Sequence, residues 1–204
     1  NALRAIRKGF AVHLAGDQHL ATAIHHGIDE HDDGPWAFIS PAIVNTIYGR
    51  YWKPEDDAAG AERDPNSPLP FTGRYTDGFG NRITMHAYAT PDAAENESNR
   101  AAGFVVARFD KSRRTIEAEC WPRDADLTQP DARQFTGWPR TVEQIDNYDP
   151  PSWGVLDEIE FDFENPVVQL VDVETGDVLY TLRIRGTRFA PHAPRDRAAT
   201  APRR

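Results

Sequence analysis

An aspartate and a histidine stand two residues apart at the point where an apolar segment of the sequence ends. Residues 10–15 (FAVHLA) lead directly into Gly16, Asp17, Gln18 and His19. A carboxylate supplies a hard oxygen ligand and an imidazole supplies a nitrogen ligand, and divalent metal ions bind both. Two ligands do not complete a coordination sphere, so the pattern also fits a turn in which Asp17 caps the next segment. The residue types leave a metal site and an ordinary turn as alternatives.

A helix and a short buried strand are predicted to hold this turn. Residues 2–8 are typical of a helix, because Leu3 and Ile6 share one stripe and basic residues stand near its carboxyl end. A glycine ends the helix, and residues 10–15 have the length of a buried strand. Where helices pack on a sheet, ligands bind in the loops that follow the carboxyl ends of strands. Residues 16–19 occupy such a position.

The rest of the chain predicts a mixed fold that becomes richer in β-hairpins toward its carboxyl end. Residues 20–26 fit either a helix or a strand. Strands are predicted at residues 35–45, with a break at Pro41, and at residues 81–89. Two hairpins are predicted, one within residues 103–121 and one within residues 166–186. Residues 56–80 are predicted to form one long irregular loop. The resulting division is residues 1–100, a β-rich region over residues 101–189, and a disordered tail over residues 190–204.

The bulk composition argues against several classes of function. The 204-residue chain carries a formal net charge of −9, and nonspecific nucleic-acid binding needs a basic face. No apolar run reaches the roughly 18 residues of a membrane-spanning helix. The single cysteine, Cys120, cannot form an internal disulfide, and its place on an alternating strand predicts an inert, buried thiol. We therefore expect no nucleic-acid partner and no membrane span.

The segment from residue 10 to about residue 54 resembles the closing part of the PhoD-like alkaline phosphatases, a branch of the calcineurin-like metallophosphoesterases. The resemblance lies in FAVHLAGDQHLATAIHHGIDEHDDGPWAFISPAIVNTIYGRYWKP and extends to the β-rich stretches up to residue 189. The last metal-binding motif of this superfamily is usually Gly-His-x-His, and in the PhoD-like branch the first histidine is commonly aspartate. The resemblance therefore implies that Asp17 and His19 are the last ligands of a pair of divalent or trivalent ions (Fe, Ca, Zn or Mn).

The resemblance also implies a fold and an activity. The fold would be α+β or mixed, the C-terminal part of a four-layer α/β/β/α sandwich followed by a hairpin-rich region. The activity would be hydrolysis of phosphate esters, with the metal pair holding the attacking and the leaving oxygen. The earlier metal-binding motifs of the family do not occur in this sequence. We expect this chain to be the C-terminal part of a phosphoesterase, inactive without the missing N-terminal part of the same polypeptide. Family members are often exported, which suggests a periplasmic or secreted location.

Other polar residues allow a functional and a structural interpretation. His26 and Arg50 are candidates for binding the substrate phosphate, since arginine presents paired donors to phosphate oxygens. The alternatives are a surface pair of His25 and His26, and an arginine whose stem covers an aromatic cluster. The acidic segment at residues 29–34 (DEHDDG) lacks the ligand spacing of an EF-hand and is expected to be a solvated turn.

The tryptophans support a rival hypothesis. Exposed aromatic rings on a β-rich domain bind carbohydrate or a protein partner, whereas tryptophans more usually lie in or over a core. An aromatic-rich β accessory module is therefore the alternative to a phosphoesterase. The five tryptophans are Trp36, Trp52, Trp121, Trp138 and Trp153.

Overall fold

A computed structural model describes residues 2–43, 52, 54, 62–77, 79–89, 101–147, 153–195 and 199–200. This part of the chain is mainly β-sheet, with one short α-helix and one 3₁₀ turn at Ile145–Asn147. The elements are α1 (Ala2–Arg7), β1 (His13–Ala15), β2 (Thr22–His26), β3 (Trp36–Ile39), β4 (Glu62–Arg63), β5 (Gly73–Thr76), β6 (Arg82–Tyr88), β7 (Gly103–Asp110), β8 (Thr115–Pro122), β9 (Arg140–Glu143), β10 (Trp153–Val155), β11 (Ile159–Glu160), β12 (Val167–Asp172), β13 (Val178–Arg183), β14 (Arg188–Phe189), β15 (His192–Pro194) and β16 (Ala199–Thr200).

The largest sheet has six strands in the order β1-β3-β2-β6-β5-β4. β1 runs parallel to β3, and the other neighbouring strands are antiparallel. The parallel pair arises because the chain leaves β1, forms β2 two positions away and returns as β3 between them. β1 therefore lies at the edge of the sheet, and its carboxyl end lies beside the end of β3 and the start of β2.

β1 is shorter than the strand predicted at residues 10–15. Phe10 has a left-handed backbone conformation with φ of 51°. Its buried side chain packs edge-on against Tyr180, with ring centroids 4.9 Å apart. The predicted strand begins late because the contact with Tyr180 draws its first residue into a different apolar core.

A β-bulge in β6 adds a side chain to the large sheet. The pairing of β2 with β6 shifts between Ala23 and Ile24, which leaves His86 opposite no residue of β2. The His86 carbonyl accepts a hydrogen bond of 2.5 Å from Arg140 of β9. The His86 ring stacks on Trp36 of β3, with centroids 4.2 Å apart. Bulges re-aim side chains and are common beside functional sites, and this one turns an imidazole toward β3.

The first apolar core joins the large sheet to the three-stranded sheet β7-β8-β9. β7 and β8 form the hairpin predicted within residues 103–121, with continuous pairing from Gly103 with Pro122 to Asp110 with Thr115. Strands on both sides of residue 100 therefore contribute to one core. Its buried members include Phe38, Met85, Tyr88, Ala118, Cys120 and Val142.

A second apolar core joins the C-terminal strands to Phe10. β12 and β13 form the other predicted hairpin, and alternate residues such as Leu170 and Tyr180 face each other and are buried. The Tyr180 hydroxyl donates a hydrogen bond of 3.0 Å to the His192 carbonyl. His192–Pro194 pairs with β10, although the sequence predicted a disordered tail over residues 190–204.

Most of the predicted elements are present, and the large sheet also contains strands that the sequence did not indicate. α1 and both hairpins lie where they were predicted, and residues 20–26, which fitted a helix or a strand, form β2. Within the loop predicted at residues 56–80, Glu62–Arg63 and Gly73–Thr76 join the large sheet. The fold is thus mixed and rich in β-sheet, while the four-layer sandwich stays a prediction. No helix in the described ranges is both long and apolar enough to cross a membrane.

Candidate functional site

The loop predicted to carry metal ligands directly follows the carboxyl end of β1. The Ala15 carbonyl accepts a hydrogen bond of 2.8 Å from the backbone N–H of Ser40, which fixes the end of the strand. Asp17 is exposed and His19 is half-buried. Both have a left-handed φ, 68° and 55° respectively, a conformation that is uncommon outside glycine although aspartate and histidine adopt it more than most. We call residues 16–19 the strand-end loop.

The other residues predicted to bind substrate are not brought to the strand-end loop by the described structure. His26 is the last residue of β2, whereas the loop leads into the first residue of that strand. Four steps of extended chain span about 13 Å, so His26 lies at the far end of β2. Arg50 lies outside the described residues. Among the described candidates, Asp17 and His19 therefore share one place and His26 does not.

His25 and His26 are not a surface pair. The His25 side chain is only 6% exposed and stacks on Trp36, with centroids 5.0 Å apart. His26 is half-buried, and its ring lies 5.5 Å from that of His13. Burial, assisted by the nearby His13 and His25, lowers the pKa of His26 to about 4. His26 is therefore neutral near pH 7 and offers no fixed positive charge to a phosphate.

A second set of ligand-type side chains meets near this far end of β2. Within the described residues, His25, Asp32 and His86 are the one group of three whose candidate ligand atoms all lie within 4.8 Å of one another. His25 belongs to β2, His86 is the bulge residue of β6, and Asp32 lies in the connection between β2 and β3. We call these three residues the two-histidine cluster.

A buried carboxylate shapes the connection that carries Asp32. Asp33 is only 3% exposed, and its carboxylate accepts hydrogen bonds from the backbone N–H groups of residues 28–30. The chain folds around Asp33, and Asp32 takes a left-handed φ of 68°. The turn expected at residues 29–34 is present but only partly solvated, because Asp29 is exposed whereas Asp33 and Gly34 are buried.

The protonation of His25 follows from its hydrogen bond to Gly34. The Nε2 atom of His25 lies 2.7 Å from the Gly34 carbonyl oxygen, which only accepts, so Nε2 carries the proton. Burial lowers the pKa of His25 despite the opposing effect of Asp32. The neutral ring then has its lone pair on Nδ1, and this atom lies 3.6 Å from Oδ1 of Asp32. His25 thus directs a lone pair at a carboxylate oxygen.

Arg74 of β5 holds the other oxygen of Asp32. Two nitrogens of its guanidinium lie 2.9 and 3.2 Å from Oδ2. Burial alone would raise the pKa of Asp32. The nearby Thr84 hydroxyl, His25 and Arg74 together have the larger effect, so the pKa lies below its ordinary value. Burial, together with His25, lowers the pKa of His86 to about 4. Near pH 7 the cluster therefore combines one carboxylate with two neutral imidazoles.

Three buried polar atoms of this region lack a well-formed hydrogen bond. Oδ1 of Asp32, Oγ1 of Thr84 and Nε2 of His86 make no hydrogen bond of good geometry in the part of the chain that the structure describes, although the Thr84 hydroxyl lies near enough to Asp32 to lower its pKa. Buried polar groups are almost always paired, and an exception calls for a bound ion, a water molecule or a functional role. Their concentration at one place marks the cluster as a candidate ligand site.

All five tryptophans are at least partly buried. Trp138 is buried and the other four are half-buried. Trp52 donates its indole N–H to the Phe71 carbonyl at 2.9 Å, and Trp121 donates to Glu119 at 3.0 Å. These contacts are those of residues that lie in or cover a core.

The prediction of an inert, buried thiol at Cys120 is confirmed. The residue lies in the first core with no exposed surface. Burial raises its pKa to about 12, so the nucleophilic thiolate is scarce at neutral pH.

Neither a family model, nor a curated protein, nor a solved structure matches this chain. The resemblance to PhoD-like phosphatases therefore stays a prediction, as do the metal pair and the roles of Asp17 and His19.

Sequence reasoning found the strand-end loop and missed the two-histidine cluster. Its residues come from two strands and a connection, with no common motif. The available signal was an imidazole within each of two apolar strand patterns, at His25 and at His86. A histidine on a buried strand needs a polar partner, and that requirement pointed to a polar cluster without saying which acidic residue joins it.

Proposed function

We propose that this chain is the C-terminal part of a metal-dependent phosphoesterase and that Asp17 and His19 bind its metal pair. The observation that carries the proposal is the position of both residues in the loop that directly follows β1. This strand is parallel to its neighbour β3, and the ends of parallel strands are the usual place for ligand-binding loops. The residue types there are those that the resemblance implies.

The donor set of the strand-end loop fits a metal ion. Asp17 offers an exposed carboxylate, and His19 offers an imidazole on the same short loop. Backbone conformations of positive φ are retained at functional sites more often than elsewhere, and both residues have one. A bound metal pair supplies the positive charge that holds a phosphate ester and stabilises its oxygens during displacement. Asp17 and His19 would hold that charge at the sheet edge.

The remaining ligands would come from the N-terminal part of the same polypeptide. β1 is an edge strand, and its outer side pairs with no strand among the described residues. Leu14 of this strand is 52% exposed. An open strand edge offers unpaired backbone N–H and C=O groups to which a further strand can add. These features support the proposal that the catalytic site forms only when that part is present.

The test is hydrolysis of p-nitrophenyl phosphate and bis-p-nitrophenyl phosphate by the longer polypeptide with manganese, zinc, or iron and calcium supplied. We expect Asp17→Asn and His19→Gln each to lower kcat/KM by at least about 100-fold, which corresponds to roughly 2.7 kcal/mol of transition-state stabilisation. Gln18→Ala is the matched control, because Gln18 is exposed in the same loop, and it should retain activity. Full activity in both ligand variants, or a polypeptide that hydrolyses neither ester, would contradict the proposal.

A further inference from the structure

We propose that the two-histidine cluster binds one divalent transition-metal ion through Nδ1 of His25, Oδ1 of Asp32 and a ring nitrogen of His86. Two imidazoles and one carboxylate with an open fourth position form a common zinc-binding set, so Zn²⁺ is the ion we assign. The site is separate from the proposed phosphoesterase centre, because it shares no residue with the strand-end loop and lies near the opposite end of β2.

The spacing of the ligand atoms fits a single ion. Ligands that bind Zn²⁺ at about 2.0–2.2 Å in a tetrahedral arrangement lie roughly 3.3–3.6 Å from one another. The 3.6 Å between Nδ1 of His25 and Oδ1 of Asp32 is close to this value and too long for a good hydrogen bond. The ligand atom of His86 lies within 4.8 Å of both. A small movement of the His86 ring would close the site around an ion.

The direction of the His25 lone pair favours a cation between His25 and Asp32. The Gly34 carbonyl holds the proton of His25 on Nε2, which leaves Nδ1 and the carboxylate oxygen as two acceptors facing each other. Two facing acceptors in a buried place repel, and the low local dielectric strengthens that repulsion. An ion between them turns the repulsion into two attractive contacts.

The contacts behind the ligands are those that orient metal-binding side chains. Histidines that bind metals usually donate their other N–H to a carbonyl or carboxylate, as His25 does to Gly34. Arg74 holds Oδ2 of Asp32 and leaves Oδ1 toward the histidines. Trp36 packs on both imidazoles and limits the directions in which their rings can move. The positive charge of Arg74 opposes a cation, so we expect moderate affinity.

The unpaired polar atoms supply the rest of the coordination. The Thr84 hydroxyl is buried beside Asp32 and makes no hydrogen bond of good geometry in the described structure. It is a candidate for the fourth position, directly or through a water molecule. A bound ion would satisfy Oδ1 of Asp32 and a hydroxyl or water at once. The alternative is an ion pair of Asp32 with Arg74 beside two neutral histidines, with no metal.

The test uses the 204-residue chain after removal of metal with a chelator. Co²⁺ is titrated as a spectroscopic probe of coordination, and Zn²⁺ is titrated by calorimetry. We expect about one ion per chain and at least tenfold weaker binding in His86→Gln, since even a lost outer contact costs about tenfold. His31→Gln is the matched control, because His31 lies in the same connection, bonds the Tyr75 carbonyl and is not one of the three proposed ligands. It should bind as the original chain does.

A second measurement does not depend on the folding of a variant. X-ray absorption of the zinc-loaded original chain should show two imidazole nitrogens and oxygen ligands. The proposal is overturned if the folded chain binds neither ion, if the bound zinc has other ligands, or if His19→Gln rather than His86→Gln abolishes binding. None of these outcomes depends on phosphatase activity, so this proposal and the proposed function fail separately.

Discussion

The strand-end loop and the two-histidine cluster hold the same kinds of ligand in opposite ways. In the loop, Asp17 and His19 are neighbours in sequence and stand at the edge of the sheet. In the cluster, three residues from two strands and a connection meet in a largely buried place. A contiguous motif is visible in a sequence but needs further ligands to become a site. An assembled cluster has no motif, yet it is already complete enough to be tested in this chain.

The largest effect on the cluster should come from the carboxylate that shapes its connection. Asp33→Ala removes the buried acceptor of three partly buried backbone N–H groups. A buried donor left without a partner costs at most about 1–3 kcal/mol. For the three N–H groups together we expect the free energy of unfolding to fall by about 3 kcal/mol. Urea denaturation measures this loss, and zinc binding should weaken with it.

The matched control for that variant is Asp29→Ala in the same connection. Asp29 forms an exposed ion pair with Arg4, with side-chain exposures of 61% and 47%. Exposed pairs are screened by water and contribute little, so the loss should be much smaller. Equal losses in Asp29→Ala and Asp33→Ala would show that the internal acceptor does not organise this segment.

Zinc should stabilise the chain through the cluster and not through the strand-end loop. At a concentration one hundred times its Kd, a ligand of the folded state adds about 2.7 kcal/mol to the free energy of unfolding. We expect a zinc-dependent rise in Tm that disappears in His86→Gln and persists in His19→Gln. Thermal unfolding followed by circular dichroism measures both. A rise in Tm that depends on His19 would reverse the assignment of the two regions.

The same substitution should have different consequences at two aspartates with the same backbone conformation. Asp17 and Asp32 both have φ of 68°, which glycine adopts without strain. Asp17→Gly should change the free energy of unfolding by less than about 1 kcal/mol. Glycine relieves the backbone strain of the folded state, but it also gives the unfolded chain more conformational freedom, and the two effects offset each other. Asp32→Gly should destabilise, because Arg74 loses its half-buried partner. Chemical denaturation distinguishes the two, and a destabilised Asp17→Gly would indicate a structural role for that carboxylate.

The smallest effect is expected at Cys120, whose thiol reports on the core in every variant. Its pKa is raised to about 12 by burial, so a folded chain should react negligibly with a thiol reagent at neutral pH. Denaturant should restore a full reaction. If Cys120 reacts with the reagent without denaturant in a variant of either region, that variant has lost its core. Its metal binding cannot then be compared with that of the original chain. Rapid reaction of the original chain would contradict the packing of β8.

Local patterns predicted the elements whose contacts are close in sequence. The β12–β13 hairpin follows from alternating apolar residues around a turn at Gly176, which has the positive φ of 73° that such a turn needs. α1 follows from its apolar stripe and basic end. In both cases neighbouring residues determine the outcome, and distant ones do not alter it.

Distant contacts produced the parts that could not be predicted. Phe10 leaves the predicted strand because it packs on Tyr180. Asp32 reaches two histidines because Asp33 folds the connection and a bulge shifts His86 out of register. The sequence contains every residue of the cluster, but their meeting depends on strand order and on one shift of pairing. Neither property has a local signature.

The most direct test is the metal content of the longer polypeptide, measured by mass spectrometry in the original protein and two variants. We expect about three ions per polypeptide, a catalytic pair and one in the two-histidine cluster. The double variant with Asp17→Asn and His19→Gln should lose the pair and keep about one, whereas His86→Gln should keep about two. A double variant that retains the full metal content would contradict the assignment of Asp17 and His19 as ligands.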